Sequence, residues 1–260
     1  MQPARGTLRK VPEITAYFWI IKVLTTAMGE ATSDYMVHRI DPYFAVALGG
    51  VAFAAALALQ LGVGRYIAWV YWLAVVMVAI FGTMIADATH IQLGVPYAVS
   101  ATAFAFALAV IFVLWRGSEG TLSIHSIVTL RRELFYWATV CATFALGTAT
   151  GDLTAYTLHL GFLASGILFA VVIAVPAIAH RFAALDAVAA FWFAYIITRP
   201  LGASFADWMG VPHALGGLNW GRGTVAVSLT IVIAGFVAYL SVSRVDVAER
   251  TEPAPLAEPA

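Results

Sequence analysis

The chain has 260 residues, 62% of them hydrophobic and only 11% charged, with acidic and basic side chains in equal number and a mean hydropathy of +0.89. A soluble domain is nearer half apolar and a quarter charged, so the composition excludes an ordinary soluble fold and points to an integral membrane protein. Zero net charge without a clustered basic face excludes a nucleic-acid partner, and the single cysteine, Cys141, excludes an intrachain disulfide and any thiolate metal motif.

A helix needs about 20 apolar residues to cross a bilayer. The first such stretch, roughly 13–36, includes "FWIIKVLTTAMGEATSD" and so carries Lys22, Glu30 and Asp34. Arg5, Arg9 and Lys10 ahead of it would suit a signal peptide, but the stretch is too long and is interrupted by Lys22, so it is read as a helix. Plainer spans follow at 43–61, 66–88, 96–115, 133–155 and 161–180, then 185–208 with Arg199, and 223–243. The last connection, "WMGVPHALGGLNWGRG", is the longest and reads as a flexible linker. The tail from Arg244, rich in Pro, Ala and Glu, reads as disordered. The expectation is one all-α membrane domain of eight transmembrane helices over 1–243, with a polar tail at 244–260.

Ten of the fourteen Lys and Arg residues fall on one side of these spans: Arg5, Arg9, Lys10, Arg65, Arg116, Arg131, Arg132, Arg181, Arg244 and Arg250. Only Arg39 and Arg222 fall on the other, and Lys22 and Arg199 lie within spans. Cytoplasmic loops collect Lys and Arg. Both termini are therefore expected in the cytoplasm, in agreement with an even number of spans.

The odd spans share a pattern. Each carries an aromatic–Trp pair: Phe18-Trp19, Tyr71-Trp72, Tyr136-Trp137 and Phe191-Trp192. Ten residues after each Trp stands Gly29, Gly82, Gly147 or Gly202, and five after each glycine stands Asp34, Asp87, Asp152 or Asp207. W-x9-G-x4-D thus occurs four times. Each copy is a motif helix followed by a plain apolar one, giving repeats at about 13–61, 66–115, 131–180 and 185–243. A unit that crosses twice enters the membrane in the same sense every time, so the repeats are parallel and related by an axis along the membrane normal. Fifteen residues at 1.5 Å rise put each aspartate roughly 22 Å beyond its Trp. The Trp residues read as interface anchors and the glycines as packing residues.

The four tandem two-helix repeats, with "KVPEITAYFWIIKVLTTAMGEATSD" as the first copy and "TRPLGASFAD" within the last, resemble a bacterial membrane-protein family built of a repeat of unknown function, the DUF347 repeat. The resemblance covers about residues 10–243. It implies the repeat organisation and a place in a bacterial inner membrane. It implies no activity.

Steps of four along each motif helix define stripes ending at the aspartates: Lys22-Thr26-Glu30-Asp34, Val75-Ala79-Thr83-Asp87, Val140-Phe144-Thr148-Asp152 and Tyr195-Arg199-Ala203-Asp207. The first and last copies alone add further charges, an asymmetry that a substrate without four-fold symmetry would explain. A charged side chain at mid-bilayer costs at least about 2.5–3.5 kcal/mol. Lys22 and Arg199 should therefore face carboxylates, with Glu30–Arg199 the first pair to test. Four carboxylates at one level form an acidic ring that attracts cations, although a single Asp near a helix end is equally explained by local hydrogen bonds.

The candidate site is thus Glu30, Asp34, Asp87, Asp152 and Asp207 for cations or protons, with Lys22 and Arg199 as their charge partners. His90, three residues after Asp87, could join Asp34, Glu30 and Asp87 around a divalent metal of the Mn-to-Zn series, the one cofactor these oxygen and imidazole donors fit. "TATGD" only approaches an intramembrane aspartyl protease motif, and the chain carries no nucleophile elbow, phosphate-binding loop or metalloprotease helix. An enzyme is not expected. The expected function is a cation transporter or channel, in its most concrete form exchanging a divalent metal for protons. The alternative is a non-transporting membrane scaffold or partner-binding protein whose buried charges only lock helix packing; under either reading the expected partners are the lipid bilayer and, in a homo-oligomer, further copies of the chain.

Overall fold

The structure is a computed structural model that describes residues 9–182 and 186–247. The described residues form helices α1 Ala16–Val37, α2 Pro42–Gly62, α3 Ala68–Asp87, α4 Tyr97–Glu119, α5 Leu130–Asp152, α6 Gly161–Val172, α7 Ala174–Phe182, α8 Ala187–Gly210 and α9 Arg222–Ser243. Side-chain caps start several of them: Thr15 for α1, Asp41 for α2, Thr129 for α5 and Asp186 for α8 each accept a backbone N–H of the first turn. The sixth expected span is broken into α6 and α7 around Ile173. Pro176 is the reason, since its ring opposes the Val172 carbonyl and it has no N–H to give that oxygen. In α8 the helix runs on through Pro200.

Among the described residues, six helical stretches are long and apolar enough to cross a membrane: α2, Ala68–Gln92, α4, Gly161–His180, α8 and α9. Helices α1 and α5 have 22 and 23 residues but are less apolar, because their centres carry Lys22, Glu30 and a series of threonines. Burial explains the difference. The apolar windows of α2, α4 and α9 are 22% buried, against 61% for α3 and 56% for α8. Phe44, Val51, Phe106, Val113 and Ile231 point outward from the first group, more than 60% exposed. In water such surfaces would aggregate; against acyl chains they need no other cover.

The motif helices form the centre. Helix α1 packs on α3, α3 on α5, α5 on α8, and α8 back on α1, closing a cycle of four. The second helix of each repeat packs chiefly against the motif helix of the next one: α2 on α3, α4 on α5, α6 on α8, and α9 on α1. Helices α1 and α2 themselves touch little. The two-helix unit of the sequence is therefore a unit of duplication and not a unit of packing.

The end of the bundle where Arg9 and Val247 lie is tied by long-range contacts. Lys10 and Glu133 form a buried ion pair, Gln60 Nε2 donates to Glu133 Oε1 at 2.9 Å, and Lys10 Nζ donates to the Leu61 carbonyl at 3.1 Å. The tail also begins packed: Asp246 is buried, accepts a hydrogen bond from Tyr66, and takes the Glu13 N–H on its carbonyl at 2.9 Å. The disorder expected from Arg244 onward thus does not hold for Arg244–Val247, because Tyr66 and the chain before α1 offer partners that composition cannot reveal. Residues 248–260 lie outside the described residues.

Candidate functional site

Two kinds of contact repeat around the central cycle. The aromatic residue before each Trp packs on the Trp of the next copy: Phe18 on Trp72, Tyr71 on Trp137, Tyr136 on Trp192 and Phe191 on Trp19, with ring centroids 5.8, 5.8, 6.3 and 5.6 Å apart. Trp72, Trp137 and Trp192 are buried, and Trp19 is half-buried. The expectation of interface anchors fails for these residues. They lie on the innermost helices, and their rings fill the space between those helices as a plug. The Tyr71 and Tyr136 hydroxyls, 2.5 Å apart, close it.

The second repeated contact involves the glycines. A Cβ added at Gly29 would lie 2.5 Å from the Ala79 Cβ, and one at Gly82 would lie 2.7 Å from the Phe144 Cβ. At Gly147 it would strike Arg199, and at Gly202 it would strike Thr26. Ala79, Phe144, Arg199 and Thr26 all stand eight residues before the aspartate of their own copy. Each glycine therefore lets the next motif helix approach closely, to backbone atoms at Gly29, Gly82 and Gly202 and to the Arg199 and Pro200 side chains at Gly147, and that approach sets the radius of the centre.

Within this radius Arg199, fully buried on α8, joins all four motif helices. It forms an ion pair with Glu30 of α1 at 2.5 Å, donates to Thr83 of α3 and to Thr148 Oγ1 of α5 at 2.7 Å, and reaches the Thr26 carbonyl of α1 at 3.1 Å. Glu30, Thr83 and Thr148 are equivalent positions, each four residues before its aspartate, and Thr83 Oγ1 also lies 3.5 Å from Glu30. The fourth equivalent, Ala203, makes room in the helix that supplies the arginine. The pair Glu30–Arg199 marked out in the sequence is thus formed, and the threonines beside it accept further guanidinium N–H bonds, while Arg199 Nε has no partner among the described residues.

Lys22 is placed otherwise than expected. Its Nζ is buried, with no hydrogen-bond partner and no carboxylate within ion-pair distance among the described residues. It sits instead 4.1 Å from the Phe144 ring centroid and 4.2 Å from that of Tyr195. The acids lie further along the stripes, so the rings of the neighbouring copies are what Lys22 meets. Desolvated cation–π contacts return about 2 kcal/mol or more each, while removing an ammonium from water costs several, so the two come close to cancelling. Lys22→Met is therefore expected to leave the unfolding temperature in detergent unchanged or to raise it by a few degrees, as read by thermal denaturation. A marked fall would mean that the charge stabilises the fold.

The four aspartates end the stripes. Asp34, Asp87 and Asp152 are partly exposed and Asp207 is buried. Asp87 and Asp207 are within electrostatic range of Asp34, Asp152 and Glu30. The copies thus bring their carboxylates to one region. Asp34 Oδ2 accepts from Arg222 Nε at 2.7 Å. Asp87 Oδ2 is buried without a partner among the described residues. After Asp87 and Asp152 the helices widen into π-helical turns, Ala88–Gln92 and Leu153–Thr157, a distortion common beside functional groups. These turns set His90 against Tyr97, ring centroids 3.4 Å apart, and bring Tyr156 to stack on Tyr97 at 5.9 Å.

Arg222 was missed as a site residue because nothing in the repeat marks it. The segment before it is no flexible linker: the N–H groups of Leu218, Asn219 and Trp220 bond the carbonyls of Trp208, Val211 and Met209, at 2.7–3.0 Å. This folded-back connection delivers Arg222 to Asp34. His90 does not turn to Asp87, since its Nδ1 lies 2.7 Å from the Val95 carbonyl. Among the described residues no three His, Cys, Asp or Glu side chains are gathered to hold a metal ion; Glu30 is engaged by Arg199 and Asp34 by Arg222.

No curated protein and no solved structure matches this chain. The profile of a family described as Repeat of Unknown Function (DUF347) matches residues 17–66, 70–121, 135–185 and 190–246. Its four segments start within two residues of Phe18-Trp19, Tyr71-Trp72, Tyr136-Trp137 and Phe191-Trp192, so the matched unit is the one whose aromatics and glycines interlock around the centre, and the chain belongs to the DUF347 repeat family.

Proposed function

We propose that this protein carries a small cation across a bacterial inner membrane in exchange for protons, with eight spans in four repeats about an axis along the membrane normal and both termini in the cytoplasm. The closed cycle of motif helices and the recurring aromatic and glycine contacts support that arrangement. The observation that carries the transport reading is the Arg199–Glu30 pair at the centre, joined to all four motif helices. A guanidinium there does what a bound cation would do: it neutralises Glu30 and satisfies the hydroxyls of Thr83 and Thr148. A cation entering past Asp34, Asp87, Asp152 and Asp207 would compete with Arg199 for Glu30, and a proton on Glu30 would release either. Oxygen donors alone suit a hard or borderline divalent metal as cargo, which would meet its ligands only after Arg222 and Arg199 yield them.

The test is metal- and proton-dependent flux in liposomes, wild type beside Glu30→Gln and Asp34→Asn. Both variants are expected to insert normally and to lose at least about 90% of flux, since a neutral amide neither pairs a cation nor releases a proton. Full flux in both across a panel of mono- and divalent cations would defeat the proposal.

One observation favours the second reading, a scaffold whose charges only lock the helices: the centre is filled, by aromatic rings on one side and by Arg199 beyond them. Under that reading wild type carries no flux and the same substitutions act on stability alone. A carrier caught between openings is filled in the same way, so flux decides between the two readings.

A further inference from the structure

At the end of the bundle that carries most of the arginines, a cavity of about 510 Å³ opens between the start of α3 and the end of α9. Arg9, Arg65 and Arg244 line it, with Trp69 and Tyr66 beside them and Asp246 in its wall. Arg65 and Arg244 are exposed, and neither has an ion pair or hydrogen bond from its side chain among the described residues. Arg9 is partly offset by Glu13. Helix α3, 20 residues long, begins here at Ile67 without a side-chain cap, so its first N–H groups find no side-chain acceptor and its dipole adds to the positive field. Trp69 is 51% exposed on the first turn of that helix, at the depth where an indole marks the boundary of the acyl chains.

An acid stands inside this basic surface. Asp246 is 1% exposed, and while its Oδ2 accepts from the Tyr66 hydroxyl, its Oδ1 has no partner. No arginine of the cavity pairs with it among the described residues. Burial pushes the Asp246 carboxyl up from its ordinary range, with the Tyr66 hydrogen bond opposing that rise. Oδ1 is enclosed in the cavity wall, so a cationic N–H donor reaches it only as that wall opens, and there meets a carboxyl oxygen that has no partner among the described residues. The cavity thus offers an anion subsite of arginines and helix N–H groups, a cation subsite of one oxygen, and an indole at the lipid boundary.

We infer that this cavity binds the headgroup of a phospholipid that carries both a phosphate and a primary ammonium, the phosphate on Arg65, Arg244 and the start of α3 and the ammonium on Asp246. The inference is independent of what crosses the membrane. A purely anionic headgroup would use the arginines and leave Asp246 opposed to it. A quaternary ammonium would bring charge but no N–H to Oδ1.

The experiment uses the full-length protein in detergent, with binding of short-chain phosphatidylethanolamine, phosphatidylglycerol and phosphatidylcholine followed by native mass spectrometry, and with inorganic phosphate as competitor. Phosphatidylethanolamine is expected to bind about tenfold or more tightly than either other lipid, the worth of one charge-assisted hydrogen bond. Asp246→Asn should reduce it to the level of phosphatidylglycerol without weakening phosphatidylglycerol itself. Arg65→Ala with Arg244→Ala should weaken both about tenfold or more. These arginines are exposed, so the double variant is expected to fold, and its unfolding temperature checks that. Equal binding of the three lipids by the wild type would overturn the inference. So would unchanged preference in Asp246→Asn, or inorganic phosphate binding as tightly as the lipid, which would make this a site for soluble phosphate.

Discussion

Arg199→Ala is expected to cost about 3–5 kcal/mol of stability, the penalty for leaving a buried charge without its partner. Glu30 would lose its cation and keep, among the described residues, only the Thr83 hydroxyl within hydrogen-bond distance, and the bonds from α8 to α1, α3 and α5 would go together. In detergent the unfolding midpoint should fall on the order of 10 °C. Removing both charges is expected to be milder. Arg199→Met with Glu30→Gln leaves no bare ion, so much of the lost stability should return, and a double-mutant cycle over the four proteins should show strong positive coupling. If Arg199→Ala unfolds at the wild-type temperature, Arg199 does not hold the centre. The same double variant separates the two functional readings, since a scaffold would recover its purpose along with its stability while a carrier would remain inactive.

The second large effect is expected at the glycines. Ala favours a helix over Gly by about 1 kcal/mol, so Gly→Ala in an open helical position should stabilise. Gly235 of α9 has nothing within 4 Å of an added Cβ and serves as the reference. At Gly202 the same methyl would meet Thr26 and come within 2.9 Å of the Ala27 nitrogen. At Gly29 it would come within 2.9 Å of the Ala79 carbonyl carbon. Backbone atoms cannot rotate away, so helices α1, α8 and α3 must separate, and overpacking costs about 1–3 kcal/mol or more. Gly202→Ala and Gly29→Ala should therefore lower the unfolding midpoint while Gly235→Ala holds or raises it. Separation of the motif helices would also pull the Arg199 guanidinium from Thr83 and Thr148, so flux, where present, should fall along with stability. Equal behaviour of all three variants would show that the glycines do not set the radius of the centre.

These effects rest on features that differ in where they could be seen. The repeat was visible because W-x9-G-x4-D needs only counting, and the helical period then places Lys22, Thr26, Glu30 and Asp34 on one stripe of one helix. Glu30 with Arg199 followed from the cost of charge in lipid, since each needed a partner of opposite sign at a matching depth. Lys22 shows the limit of that reasoning. It obeys the same rule of cost, yet it is met by Phe144 and Tyr195, and the acids expected as its partners lie further along the stripes.

What the sequence determined by itself is whatever a single helix decides: its span, its polar stripe, and the register of Trp, Gly and Asp within each copy. Only the tertiary structure decided that each copy's glycine receives the next copy's motif helix, that the Trp rings turn inward, that Arg222 closes on Asp34, and that Asp246 is buried beside Tyr66. The physical reason is that periodicity fixes which residues share a face, whereas the neighbour that face meets depends on how close the helices come. Here that distance is set by the absence of a side chain at four positions, which each helix records as a glycine, whereas which neighbour each glycine admits is recorded in no single helix.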